Sequence, residues 1–201
     1  MTTDLQVLTP FRRGAASTSQ LNAFLQAKLN PPGHGKLETR VGDVTLREGD
    51  RVLQQRNDYT KEVFNGDLGT VAAVDGDGGV RVLFTSGPAT AAKDAKEGEG
   101  EVAADEKLSR EIRYSRYDLR DLIPAWALTV HKAQGSEYRA VVLCLASSHR
   151  PLLRRELVYT AVSRAKEVLI ILAPKVGPGR YRLPRHPTHF EPSFRGLNCN
   201  L

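Results

Sequence analysis

Cysteine is scarce in this sequence, and so are the other ingredients of a disulfide, metal or membrane protein. The 201 residues hold two cysteines, Cys144 inside the apolar run AVVLCLA and Cys199 near the end. With no CxxC spacing they suggest neither a disulfide framework nor a zinc site, and the cytoplasm is the default compartment. No stretch approaches the roughly 18 uninterrupted apolar residues of a membrane span. The opening MTTDLQVLTPFRRG lacks a basic segment followed by a long apolar one, so neither a signal peptide nor a membrane partner is expected. The five histidines are scattered and make no metal set. DGDGG resembles a calcium loop, but Gly79 occupies a ligand position and no acidic residue closes a twelve-residue loop, so it reads as a hairpin turn.

The machinery for holding a triphosphate is missing as well. The only Gly-Lys pair, Gly35-Lys36, is followed by Leu37 and lacks a glycine five residues before Gly35, so there is no GxxxxGK[ST] phosphate loop. No apolar strand ends in an Asp-Glu pair, because AADE (Asp105, Glu106) belongs to a low-complexity stretch. ATP hydrolysis by this chain alone is therefore not expected.

What is present is an ordinary globular composition, 40% hydrophobic and 26% charged, with a net charge of +6 that favours a polyanionic partner. LQVLTPF reads as a short buried strand stopping at Pro10. It precedes an amphipathic helix with Leu21, Phe24, Leu25 and Leu29 on one face and Ser17, Thr18 or Ser19 as cap. Short β-rich runs follow (DRVLQQRN, DLGTVAAVD, VRVLFTS), separated by FNGD and DGDGG. They suggest a small closed or nearly closed barrel, with EIRYSRYDL, residues 111–119, as its last strand. Residues 87–109 have almost no large apolar side chains and are expected to be disordered or loosely helical. From Ile123 the α/β pattern returns. PAWALTV reads as a strand, AVVLCLA as a central strand, residues 151–166 as a helix and EVLIILA as a fully buried parallel strand. The expected layout is an α/β parallel-sheet domain of residues 1–37 and 120–173, interrupted by a β-barrel of residues 38–119. A basic proline-rich tail covers residues 174–201.

Polar residues gather in a few places. AWALTVHKAQGSEY places Thr129, His131, Lys132, Gly135 and Glu137 after an apolar strand, and ligands of open parallel sheets collect at such carboxyl ends. Lys132 and His131 suit phosphates, Gly135 permits close backbone approach, and Glu137 suits a ribose hydroxyl. Spacing alone leaves a second reading open, a polar loop that caps the next element. In YTAVSRAK, Arg164 sits at a helix–strand junction near Tyr159 and Thr160. It can be aimed at a phosphate, or it can offset the helix dipole. Arg12 and Arg13 follow the first strand and precede Gly14.

Taken together and in this order, these stretches resemble the C-terminal half of superfamily 1 DNA helicases of the RecD-like branch. VLTPFRRG looks like motif IV and LNAFLQAKLNPP like the helix after it. GDRVLQQRNDYTKEVFNGDLGTV looks like the start of the SH3-like insertion, ALTVHKAQGSEY matches motif V, and LVYTAVSRAK matches motif VI. The resemblance implies a RecA-like parallel sheet without its own phosphate loop and an inserted SH3-like barrel. By the same resemblance, Arg12 and Arg164 would reach the γ-phosphate of ATP, with Arg12 favoured over Arg13. Gly135 and Glu137 would lie on the nucleotide side. Thr129, His131 and Lys132 would hold single-stranded DNA, supported by Tyr159 and Thr160. Family members move 5′ to 3′. ATP and Mg2+ would act only when a first RecA-like domain, which this stretch lacks, completes the site; the chain alone would hold no cofactor. The tail from Pro174 departs from the family's usual ending. The alternative expectation is a stand-alone single-stranded DNA-binding module, or an inactive remnant, without ATPase activity.

Overall fold

The computed structural model describes residues 5–85, 109–147 and 154–174. The expected low-complexity stretch apart from Ser109, the helix start at Pro151 and Leu153, and the tail beyond Pro174 lie outside the described residues.

Strand β1 (Leu5–Thr9) leads into helix α1 (Thr18–Leu29). Then come β2 (Glu38–Val41), β3 (Val44–Arg47), β4 (Arg51–Gln54), β5 (Leu68–Val74), β6 (Val80–Thr85) and β7 (Ser109–Tyr114). A 3-10 turn at Asp118–Asp121 precedes β8 (Leu122–Pro124) and β9 (Ala127–Thr129). The chain continues with β10 (Tyr138–Cys144), helix α2 (Arg155–Val162) and β11 (Ala165–Leu172). Three sheets result. One is wholly parallel, in the order β11-β10-β1-β9. One is antiparallel, in the order β7-β6-β5-β4-β8, and β2 and β3 form a hairpin beside it.

The parallel sheet and its helices make an α/β unit, as the strand–helix alternation implies. Between β1 and β9 the chain leaves it to build the antiparallel insertion. That insertion has its own core, in which Val52, Val71, Val80, Val82 and Leu119 pack with Tyr114. The Tyr114 hydroxyl, driven inward with its ring, donates to Gln54 Oε1 at 2.9 Å, and burial pushes its pKa far up. Gly69 has no room for a side chain: a Cβ there would lie 2.5 Å from Val82 and 3.1 Å from the Leu83 carbonyl.

PAWALTV is not one strand. Its first residue ends β8, which pairs with β4 in the antiparallel sheet, whereas Ala127–Thr129 pairs with β1 in the parallel sheet. The chain changes sheets at Ala125 and Trp126. Here the buried Gln6 amide donates to both of their carbonyls, and the Ala125 N–H donates to the Arg51 carbonyl. At the crossing the Gln6 side chain thus takes both carbonyls, while the β4 backbone takes the Ala125 N–H. Strand β7 ends at Tyr114, short of the expected residue 119, and antiparallel pairing resumes in β8 against β4 as far as Pro124.

Two other expectations change. EVLIILA was expected to be fully buried, but β11 is the edge strand of the sheet, and Val168, Ile170, Ile171 and Leu172 are about half exposed. Helix α1 starts where the cap predicts, with Ser17 Oγ accepting from the Gln20 N–H. Of its apolar face, only Leu21 and Leu25 pack against the sheet, while Phe24 and Leu29 are exposed. The inward contacts of α1 are largely polar. Buried Asn22 donates to and accepts from the Ala127 backbone at 2.9 and 2.8 Å, as a neighbouring strand would. Gln26 and Asn30 both donate to the buried Asp50 carboxylate, which also accepts from the Arg47 N–H. Asp50 thereby fastens the insertion to the helix.

Candidate nucleotide and nucleic-acid site

The register of the parallel sheet sets the geometry of the site. Thr9 is level with Thr129, so β1 and β9 end together at the carboxyl edge. Tyr138 is level with Ala165, so β10 and β11 begin together at the amino edge. Because β10 lies on the far side of β1 from β9, residues 130–137 must cross from one edge of the sheet to the other. By strand rise that distance is roughly 20 Å. The polar loop therefore does not sit at one carboxyl end, as its sequence suggested; it begins there and finishes at the opposite edge.

The crossing is anchored along its length. Val130 donates to the Thr9 carbonyl, and Val130 and Ala133 are buried in the same cluster as Leu8, Val141 and Leu143. Successive turns bind Ala133 N–H to the Thr129 carbonyl, Gln134 N–H to His131 and Ser136 N–H to Ala133. Gly135 has φ +84° with nothing within 4 Å of a Cβ added there. Its glycine is needed for the backbone angle, and the space outside it is open.

At the carboxyl edge, Thr129 is buried, and its Oγ1 accepts from the Lys132 N–H at 3.2 Å. The Thr129 hydroxyl thus shapes the turn that presents its neighbours. His131 is exposed. Lys132 reaches across to the insertion, where its ammonium donates to Asn65 Oδ1 at 3.1 Å. That bond was not legible in the sequence, where FNGD signalled only a turn.

Arg164 lies at the amino edge. Its guanidinium donates to the Ser136 carbonyl at 3.1 Å, to the Thr160 carbonyl at 3.2 Å and to Ser163 Oγ at 3.0 Å, so that two of its five N–H groups have no partner among the described residues. Its carbonyl accepts from the Tyr138 N–H. The expected neighbours Tyr159 and Thr160 are in the last turns of α2. Tyr159 is exposed, while the Thr160 hydroxyl donates to the Glu156 carbonyl and its own carbonyl receives Arg164. The Thr160 hydroxyl is thus engaged by its own helix and its carbonyl by the arginine. Glu137 pairs with Lys166 at 3.1 Å, an exposed ion pair that occupies the carboxylate expected to meet a hydroxyl.

Arg12 is elsewhere. It lies three residues past the end of β1, at the carboxyl edge, in a loop tied by Ser19 Oγ to the Arg12 carbonyl and by Thr9 Oγ1 to the Ala16 carbonyl. The structure groups Arg164 with Gly135, Ser136 and Glu137, and places Arg12 on the side of Thr129, His131 and Lys132. The backbone positions of the two arginines lie at opposite edges of the sheet.

Comparison with known proteins bears on the two domains. Residues 21–84 match the ATP-dependent RecD-like DNA helicase SH3 domain family, and residues 124–172 match the UvrD-like helicase C-terminal domain family. The chain resembles the C-terminal part of a RecD-like helicase. It is 37% identical over 163 residues to the ATP-dependent RecD2 DNA helicase of Deinococcus radiodurans, a match covering 81% of this chain and 19% of that one. It is 30% identical over 125 residues to the RecBCD enzyme subunit RecD of Haemophilus influenzae, covering 62% of this chain and 15% of the relative. This RecD-like chain thus spans less than a fifth of the length of either relative. Solved structures with the same fold include Pif1 from Bacteroides bound to ssDNA, at TM-score 0.51 and 16% identity over 85% of this chain and 41% of that one. Pif1 from Candida albicans aligns at TM-score 0.51 and 17% identity, over 84% and 45% of the two chains. The parallel sheet is accordingly RecA-like and the antiparallel insertion SH3-like.

Proposed function

We propose that this chain is the second motor domain of an ATP-dependent 5′–3′ DNA helicase. In this reading, one face of the crossing loop grips single-stranded DNA and its other end serves an ATP site completed by a first RecA-like domain. The observation that carries it is the loop itself. Its carboxyl-edge end presents His131 and Lys132, cationic or hydrogen-bonding groups suited to a phosphodiester. Its amino-edge end holds Arg164 through the Ser136 carbonyl. A shift of either end is transmitted through a segment buried at Val130 and Ala133, which is what coupling of strand movement to nucleotide state requires.

The residues present fit one side of a nucleotide only. Arg164 has donors left for a phosphate oxygen, and planar donation of this kind stabilises charge developing on a transferred phosphoryl group. Among the described residues no cluster of His, Cys, Asp or Glu suits a metal ion. In this reading Mg2+ and the triphosphate cradle belong to the completing domain, and ATP supplies the phosphoanhydride that is hydrolysed. Arg12, at the other edge, is assigned to the strand rather than to the γ-phosphate.

The test is an ATPase assay in three parts. The purified chain alone should show no DNA-stimulated hydrolysis. Joined to a RecD-like first motor domain it should gain it, and Arg164→Ala in the joined protein should lower kcat by about 10³-fold or more. The same joined protein with Arg12→Ala should keep its kcat at saturating DNA and require more DNA to reach it. DNA-stimulated hydrolysis by the chain alone would overturn the proposal.

A further inference from the structure

Among the described residues two aromatic ring pairs occur, and they differ in kind. Phe84 and Tyr114 are buried in the core of the insertion, where packing explains them. Tyr59 and Phe64 meet edge to face at 6.1 Å on the surface, with Tyr59 76% exposed and Phe64 37% exposed. No core needs them there.

Their position is fixed by the segment between β4 and β5. Asp58 and Val63 exchange backbone hydrogen bonds, and Val63 is buried as a plug in the core below. Asp58 Oδ1 accepts from the Thr60 and Lys61 N–H groups, and Lys61 spans Asp58 and Asp118. Glu62 at the tip has φ +51°, a left-handed angle that is uncommon for a residue with a side chain. Arg110 holds it through the Glu62 carboxylate and the Lys61 and Glu62 carbonyls. Such over-determined backbone presents the two rings in one place, and presentation in advance removes an ordering cost from any ligand that stacks on them.

The rings also continue the surface assigned to DNA. Phe64 is the chain neighbour of Asn65, whose Oδ1 receives Lys132. The Asn65 N–H donates to Asn57 Oδ1, and the Asn57 amide donates to the Tyr59 hydroxyl. A run of hydrogen bonds therefore joins the phosphate-directed ammonium to the aromatic pair. We infer that Tyr59 and Phe64 form a stacking platform for a nucleobase of the single strand whose backbone passes His131 and Lys132. The inference rests on the DNA surface proposed above. Stacking on a ring is tolerant of base identity, so the platform adds affinity without reading sequence.

The test uses the full 201-residue chain and fluorescence anisotropy with two labelled oligomers of equal length, one of thymidine and one of abasic sites. Tyr59→Ala and Phe64→Ala should each weaken binding of the thymidine oligomer by roughly 5- to 100-fold and leave the abasic oligomer within about twofold. Tyr59→Phe, which keeps the ring, should bind as the parent does. His131→Ala with Lys132→Ala should weaken both oligomers and lower the salt dependence. If that double variant weakens both oligomers while the ring variants change neither, the platform is refuted and the DNA surface stands. If the parent binds neither oligomer, or the double variant binds as the parent does, the DNA surface fails and the platform with it.

Discussion

The antiparallel insertion and the parallel sheet enclose their apolar residues to very different degrees. In the insertion, strands β4 to β6 and the turn after β7 surround a cluster in which Val52, Val80, Val82 and Leu119 are wholly buried. In the parallel sheet β1 is buried, but β11 shows apolar side chains on both of its faces. A small barrel-like sheet can finish its own core. A parallel sheet needs cover on both faces, and the described helices α1 and α2 do not reach all of it. The difference is one of enclosure: the insertion completes its own core, whereas β11 leaves apolar side chains exposed.

This comparison is broken or sharpened by measurement, and the largest effects come first. Leu119→Ala in the insertion should cost about 2–5 kcal/mol of unfolding free energy, whereas Leu172→Ala in β11 should cost less than about 1 kcal/mol. Denaturant titrations of the two variants decide it, and equal losses would show that β11 is covered in solution. Asp50→Ala removes the carboxylate shared by Gln26, Asn30 and the Arg47 N–H, and should cost about 2–4 kcal/mol. It should also split one thermal transition into two if the insertion and the sheet are held together mainly there.

Acid should act on the insertion first. Hydrogen bonds from the Lys61 ammonium and its backbone hold the Asp58 carboxyl below its ordinary value of 3.8, and the Ser115 hydroxyl, with Lys61, does the same for Asp118. A depressed folded-state pKa contributes stability that is complete above 3.8 and lost as pH falls through the folded value. Tm should therefore be level above about pH 5 and drop below about pH 4, and Lys61→Met should shallow that drop. The smallest expected effect is a gain. Ala16 has φ +51° in the Arg12 loop, so Ala16→Gly should raise stability by roughly 0.5–1 kcal/mol, read as a small rise in Tm.

Much of the fold could be read directly because it depends on local periodicity. The runs LQVLT, LGTVAAV, VRVLFT and AVVLC lie in strands, and Ser17 caps the helix that its neighbours predict. The hairpin of β2 and β3 went unread, although Val41 and Val44 flank a Gly42-Asp43 turn. Its strands are only four residues each, and three of the eight residues are charged. The polar stretch from Thr129 to Glu137 could likewise be recognised as a site, because such residues rarely gather after an apolar strand.

Composition and pattern by themselves determined that this is an α/β chain with a β-rich insertion, that it lacks a phosphate loop, and that Lys132, His131 and Arg164 are candidates for its site. Only the tertiary structure decided which of them lie together. Neighbours in sequence lie at opposite edges of the sheet, because strand order sends residues 130–137 across it, and Arg12 consequently parts company with Arg164. Periodicity reports which face of an element is buried. It carries no information about strand order, and strand order is what set the two ends of this loop apart.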